Sequence, residues 1–169
     1  VEILRGPEGC PWDREQTHES IKNQLIEECY EVVNAIENDD IDNMIEELGD
    51  VLLHIVFHAI IGKEDGFFNM SDIIEGINSK MIYRHPHVFA KDKLDSSEEV
   101  LERWDELKSK EKNYNSVTEE LQGIAKTIPA LIKAYKVQKK VAKVGFDFEN
   151  VEEAIDKVNE EIKEVLDVY

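Results

Sequence analysis

The sequence predicts an all-α protein, and three observations carry that prediction. Apolar residues recur with helical periodicity along almost the whole chain. The 169 residues include only four prolines and eight glycines, which suits long helices better than a turn-rich sheet. No segment alternates convincingly enough to read as a strand. The chain is 41% hydrophobic and 34% charged, the balance of a globular protein rather than a disordered one. No apolar run approaches the roughly 18 residues needed to span a bilayer, so no membrane partner is expected.

Taken in order, the pattern predicts helices over residues 19–36, 42–61, 71–84, 97–112, 118–144 and 151–168. Before the first lies the loop Gly9-Cys10-Pro11-Trp12-Asp13, which Trp12 is expected to anchor by burial. The polar stretch 37–40 separates the first two helices. Residues 62–69 make the second break, with Ser71 as the N-cap of the third helix. Pro86 ends that helix, because the residue before a proline is pushed out of the α region. Residues 113–116 read as a linker, giving a first domain over 1–113 and a shorter segment over 114–169. Gly145, just after Lys143 and Val144, is a common helix stop.

Formal net charge is -18, from 20 basic and 38 acidic residues. Nucleic-acid polymers are disfavoured as partners, since binding them relies on many Lys and Arg contacts to phosphate. A nucleotide is not excluded, because a metal ion can bridge a carboxylate cluster and a triphosphate. Cys10 and Cys29 are the only cysteines and suggest no disulfide framework, so a cytoplasmic protein with free thiols is the simple reading.

Two acidic strings stand out, Glu27-Glu28-Cys29-Tyr30-Glu31 and Glu46-Glu47-Leu48-Gly49-Asp50. Glu28 and Glu31 are three apart and share a helix face, as do Glu47 and Asp50. The short break between the two helices predicts an antiparallel hairpin. In such a hairpin, residues at one height have residue numbers of constant sum. Glu31 with Glu47, and Glu28 with Asp50, have the same sum, so the four acids fall at two levels about 4.5 Å apart. Four facing carboxylates cannot all stay ionised without a counter-charge. Oxygen-only ligands favour Mg²⁺, with Mn²⁺ as a substitute, over zinc. Acids that merely solvate a helix are the plainer alternative, but Glu28 falls inside the apolar arc of Ile21, Leu25, Cys29, Val32 and Ile36. Glu27 and Glu46 lie off these stripes.

His54 and His58 continue the Asp50 stripe. They read as packing or surface histidines, because the Glu-x-x-His pairs of a di-iron bundle are absent. Lys80 and Arg84 share a face and are followed by His85, Pro86, His87, Val88 and Phe89, a basic knot able to bind phosphate oxygens. Trp104 and Lys108 are likewise four apart. No glycine loop that could cradle phosphates is present, so side chains and metal would have to hold a nucleotide.

The Gly-Cys-Pro-Trp-Asp string with Gln16-Thr17, the two carboxylate strings, Lys80 with Arg84-His85-Pro86-His87-Val88-Phe89, and Trp104 with Lys108 together resemble the MazG family of nucleoside triphosphate pyrophosphohydrolases. The resemblance runs in order over roughly residues 4–112. The carboxylate motif is shared with all-α dUTPase and dCTPase relatives, whereas the Cys-Pro-Trp-Asp and Arg-His-Pro-His-Val-Phe strings are more specific. The resemblance implies a MazG-like helical bundle of the all-α NTP pyrophosphatase type, a homodimer or higher oligomer in which two subunits complete each site. It implies Mg²⁺-dependent cleavage of nucleoside triphosphates between the α and β phosphates. Glu28, Glu31, Glu47 and Asp50 correspond to metal ligands, and Lys80, Arg84, Trp104 and Lys108 to substrate-binding positions. Glu27 is the candidate to activate water. MazG proteins often carry two tandem copies. Here Glu160-Glu161 with Glu164 repeats the first acidic string, but no partner string comes after it, so 114–169 reads as a linker and an incomplete second copy. The alternative is a helical dimerisation or regulatory module that binds metal-nucleotide without turnover. No residue fixes the base, and a broad, house-cleaning range is expected.

Overall fold

The computed structural model describes residues 1–168 and is all-helical, with no strand among the described residues. It divides into two compact units, Val1–Lys91 and a second beginning at Asp92. The boundary expected at residue 113 lies inside the second unit. Two contacts tie residues before that point to residues after it: Ser109 donates to Glu120, and Asp105 pairs with Lys143.

In the first unit two short helices, α1 (Glu2–Arg5) and α2 (Pro11–Glu15), lead into α3 (His18–Glu37) and α4 (Ile41–Glu64). Thr17 opens α3 with a reciprocal cap: its hydroxyl accepts from the Ser20 amide, and the Ser20 hydroxyl accepts from the Thr17 amide. Asp40 caps α4 by accepting from the Asn43 amide. Between them Asp39 takes a positive φ of 53°, a conformation Asx residues tolerate, and α3 and α4 pack as the predicted hairpin. The core is small: Ile21, Phe57 and Ile61 are buried together, with Val1 packed against them.

The N-terminal loop is held by Arg5 rather than by Trp12. The Arg5 guanidinium donates to the Glu64 carboxylate and to the carbonyls of Asp13 and Gln16. Trp12 is 57% exposed, which corrects the expected burial. Gly9 packs so closely under the chain that a Cβ would lie 2.2 Å from the Leu4 carbonyl oxygen.

Helix α5 (Met70–Arg84) is capped by Asn69, not by Ser71. The Asn69 side chain accepts from the Ser71 amide, and Asp72 reaches back to the Asn69 amide. Pro86 ends α5 as expected and opens the single turn α6 (Pro86–Phe89), where its missing N–H costs nothing.

The second unit contains α7 (Ser97–Glu111), α8 (Val117–Gln122), α9 (Ala130–Ala142) and α10 (Val151–Val168). The single helix expected over 118–144 is broken in two. Gly123 sits against the Tyr114 hydroxyl, where a Cβ would lie 2.0 Å from the oxygen. Pro129 then precedes α9 without an amide to continue an earlier helix. Gly145, at φ 81°, lies just beyond α9. The apolar stripe of α10, Ile155, Val158, Ile162 and Val165, is exposed. Among the described residues no helix is long and apolar enough to cross a membrane.

Candidate functional site

The hairpin brings three acids together. Carboxylate oxygens of Glu28 on α3 and of Glu47 and Asp50 on α4 all lie within 4.8 Å of one another. Glu47 is buried, Glu28 and Asp50 half-buried. Glu31 is exposed and outside this three-way cluster, yet it hydrogen-bonds Glu47. Glu31 acts on Glu47, and Glu28 lies against both Glu47 and Asp50, which the constant-sum register allows.

Such an arrangement is electrostatically costly. Burial, then the charge and hydrogen bond of Glu31, then the charges of Glu28 and Glu46, push the Glu47 carboxyl up to about 7. A carboxyl kept near neutrality by its neighbours is a group poised to exchange its proton for a cation. The donors are all oxygen, buried on one side and convergent, which fits a hard divalent ion such as Mg²⁺ or Mn²⁺. Glu27 and Glu46 are exposed beside the cluster.

Histidines line the same side of the hairpin. His54 Nε2 is 3.9 Å from a Glu28 oxygen, and among the described residues its buried Nδ1 finds no partner. One turn on, His58 Nδ1 lies 2.7 Å from His18 Nδ1, with the rings stacked and their centroids 5.0 Å apart. One of these nitrogens must donate and the other accept, so the tautomers of the two rings are tied to each other. Burial, then His18 and His54, lower the His58 pKa. The sequence showed His54 and His58 on one stripe but not His18. Its partnership depends on the entry of the chain into α3, which no periodicity reports; the Thr17 cap, which makes His18 the first helical residue, is the nearest signal.

Of the predicted basic residues, Arg84 is buried and Lys80 half-buried, both on α5 of the first unit. Trp104 (half-buried) and Lys108 (exposed) belong to α7 of the second unit, where Lys108 lines a cavity with Tyr114 and four lysines of the α9 segment.

Comparison with known proteins identifies what this hairpin resembles. A family model, the MazG nucleotide pyrophosphohydrolase domain, matches residues 16–89. A Bacillus subtilis protein, uncharacterized protein YabN, is 54% identical over 139 residues, covering 82% of this chain and 28% of its own. The nucleoside triphosphate pyrophosphohydrolase/pyrophosphatase MazG of Thermotoga maritima is 46% identical over 165 residues, covering 98% of this chain and 63% of its own. The chain thus spans less than two-thirds of the length of either relative. Among solved structures, a mazG-related protein from Thermotoga maritima aligns with a TM-score of 0.54 and 30% identity, over 63% of this chain and 93% of that one.

Proposed function

Because the chain belongs to the MazG family, we propose that it hydrolyses nucleoside triphosphates at the α–β phosphoanhydride, releasing a nucleoside monophosphate and pyrophosphate. The observation that carries this reading is the convergence of Glu28, Glu47 and Asp50 within 4.8 Å. The name of the Thermotoga maritima relative supports the reaction class.

Glu28, Glu47 and Asp50, with Glu31 hydrogen-bonded to Glu47, would hold one or two Mg²⁺ ions. Bound there, Mg²⁺ supplies the positive charge that lets a triphosphate approach so acidic a surface, and lowers the pKa of water. Glu27, exposed next to Glu28, takes the proton of the attacking water. Lys80 and Arg84 on α5 neutralise charge that builds on the phosphate oxygens; Lys108 and Trp104, on α7 of the second unit, correspond to the family's nucleotide-binding positions. The substrate range is taken to be broad, of the house-cleaning kind. Residues 114–169 make up a linker and a segment that resembles the opening of a second copy of the domain.

The active form is a homodimer or higher oligomer. Ile41, Ile45, Leu48, Leu52 and Ile55 recur at heptad spacing along α4, yet each is between 37% and 65% exposed. An apolar stripe of that regularity on a long helix fits a second copy better than water.

The test is incubation with each nucleoside triphosphate and Mg²⁺, reading pyrophosphate and orthophosphate separately. Pyrophosphate as first product, lost in Glu28→Gln and Asp50→Asn, is the expected result. Orthophosphate as first product rejects the reaction class. Activity that survives both substitutions rejects the metal site.

A further inference from the structure

We propose that the second unit carries an anion site of its own, a lysine-lined cavity that takes the phosphate groups of inorganic pyrophosphate or of a nucleotide. The first sign is in the sequence. From Leu121 to Phe146 there is no Asp or Glu and there are six lysines, in a chain whose net charge is -18. The fold then concentrates them. Lys136, Lys139, Lys140 and Lys143 keep the i, i+3, i+4, i+7 pattern that places residues on one face of a helix. Together with Lys108 of α7 they line a cavity of about 390 Å³.

Part of this charge is spent within the protein. Lys140 pairs with Glu120 and Lys143 with Asp105. Lys139 reaches over the Tyr135 ring at 6.0 Å. Among the described residues no carboxylate pairs with Lys108, Lys136 or Lys139. Five lysines against two carboxylates leave three positive charges around one concavity. Lysines that only solvate a surface spread apart and pair with nearby acids, whereas these converge from two helices onto one volume. Tyr114, Ile124 and Ile128 line the same cavity, an apolar wall that lowers the local dielectric and strengthens each ammonium–phosphate contact.

The same charge distribution selects the ligand. A long nucleic acid would have to run on across a surface that repels it. A small polyphosphate needs only the local charge, and the cavity has room for it. Of the five lysines only Lys108 also serves the hydrolysis proposed above; Lys136, Lys139, Lys140 and Lys143 have no part in it, and the test is made on Lys136 and Lys139.

Titrate inorganic pyrophosphate into the full chain by calorimetry in EDTA, where the carboxylate cluster has no cation and repels the ligand. Saturable binding is expected, at least about tenfold weaker in Lys136→Gln/Lys139→Gln, since one lost charge-assisted contact is worth that much. Lys136→Arg retains binding, and Glu28→Gln/Asp50→Asn leaves it unchanged, so failure of the metal site and failure of this site are separable. Lys136 and Lys139 are exposed, and unchanged helical circular dichroism checks that the variant is folded. No saturable binding in EDTA overturns the proposal. So does binding indifferent to the lysine substitutions, an equal response to sulfate at matched ionic strength, or binding of an RNA oligomer without binding of pyrophosphate.

Discussion

Divalent-cation affinity is expected to fall steeply just below neutral pH, and Glu47 sets the size of the fall. Its carboxyl is held at about 7 by burial and by the negative charges of Glu31, Glu28 and Glu46. A group with that pKa is about 90% ionised at pH 8, half ionised at pH 7 and about 10% ionised at pH 6. Cation binding requires the ionised form. Counting Glu47 alone, apparent affinity therefore drops about tenfold between pH 8 and pH 6, and at pH 6 close to one proton leaves per ion bound. Mn²⁺ titration calorimetry in two buffers of different ionisation enthalpy reads both quantities. Stability without metal moves the other way. Between about pH 4.3, where an unfolded glutamate titrates, and about pH 7, the folded chain holds a proton that the unfolded chain has lost. Stability therefore falls as pH rises through that window and levels off above it. Glu47→Gln should abolish both slopes. Equal Mn²⁺ affinity at pH 6 and pH 8, or no proton release at pH 6, would refute the reasoning.

Two further outcomes rest on packing. Leu52→Glu, at a position 58% exposed in the single chain, should preserve helix content while weakening self-association by about 100-fold or more, because the charge would be buried unpaired. Light scattering after size exclusion measures the mass, and an unchanged mass would remove the proposed interface. Gly62→Ala would put a Cβ 2.6 Å from the Phe68 ring. It should cost about 1–3 kcal/mol, lowering the melting temperature of a chain this long by about 2–4 °C for each kcal/mol. Gly76→Ala, with nothing within 4 Å of the new methyl, should leave it equal or higher. The reverse order would contradict the packing of α4 against Phe68.

The hairpin was legible in the sequence because two independent periodicities agree there. The apolar stripe set the helices, and the i, i+3 spacing of the acids set which faces meet. That is why Glu28, Glu47 and Asp50 come together, with Glu31 against Glu47. Where only one periodicity was available, reading failed. Apolar spacing continues across 118–144 and masked the break: Pro129, without an amide, signalled it in the sequence, while the contact of Gly123 with Tyr114 did not. Trp12 was expected to anchor the N-terminal loop by burial, but Arg5 holds that loop through the carbonyls of Asp13 and Gln16. The Ser71 cap was misplaced by two residues because Asn69 offers both a side-chain acceptor and a partner in Asp72. Least legible was how few apolar residues the chain buries, since pattern shows which residues share a stripe and not whether the stripe is covered.

The small cluster of Ile21, Phe57 and Ile61 has a consequence for cooperativity. Opening the hairpin of a lone chain exposes little apolar surface that was not already wet. Its unfolding should be shallow in denaturant and small in heat capacity. Steepness would then have to come from association, and mass action makes that steepness a function of protein concentration. For such a chain, dilution acts as a denaturant.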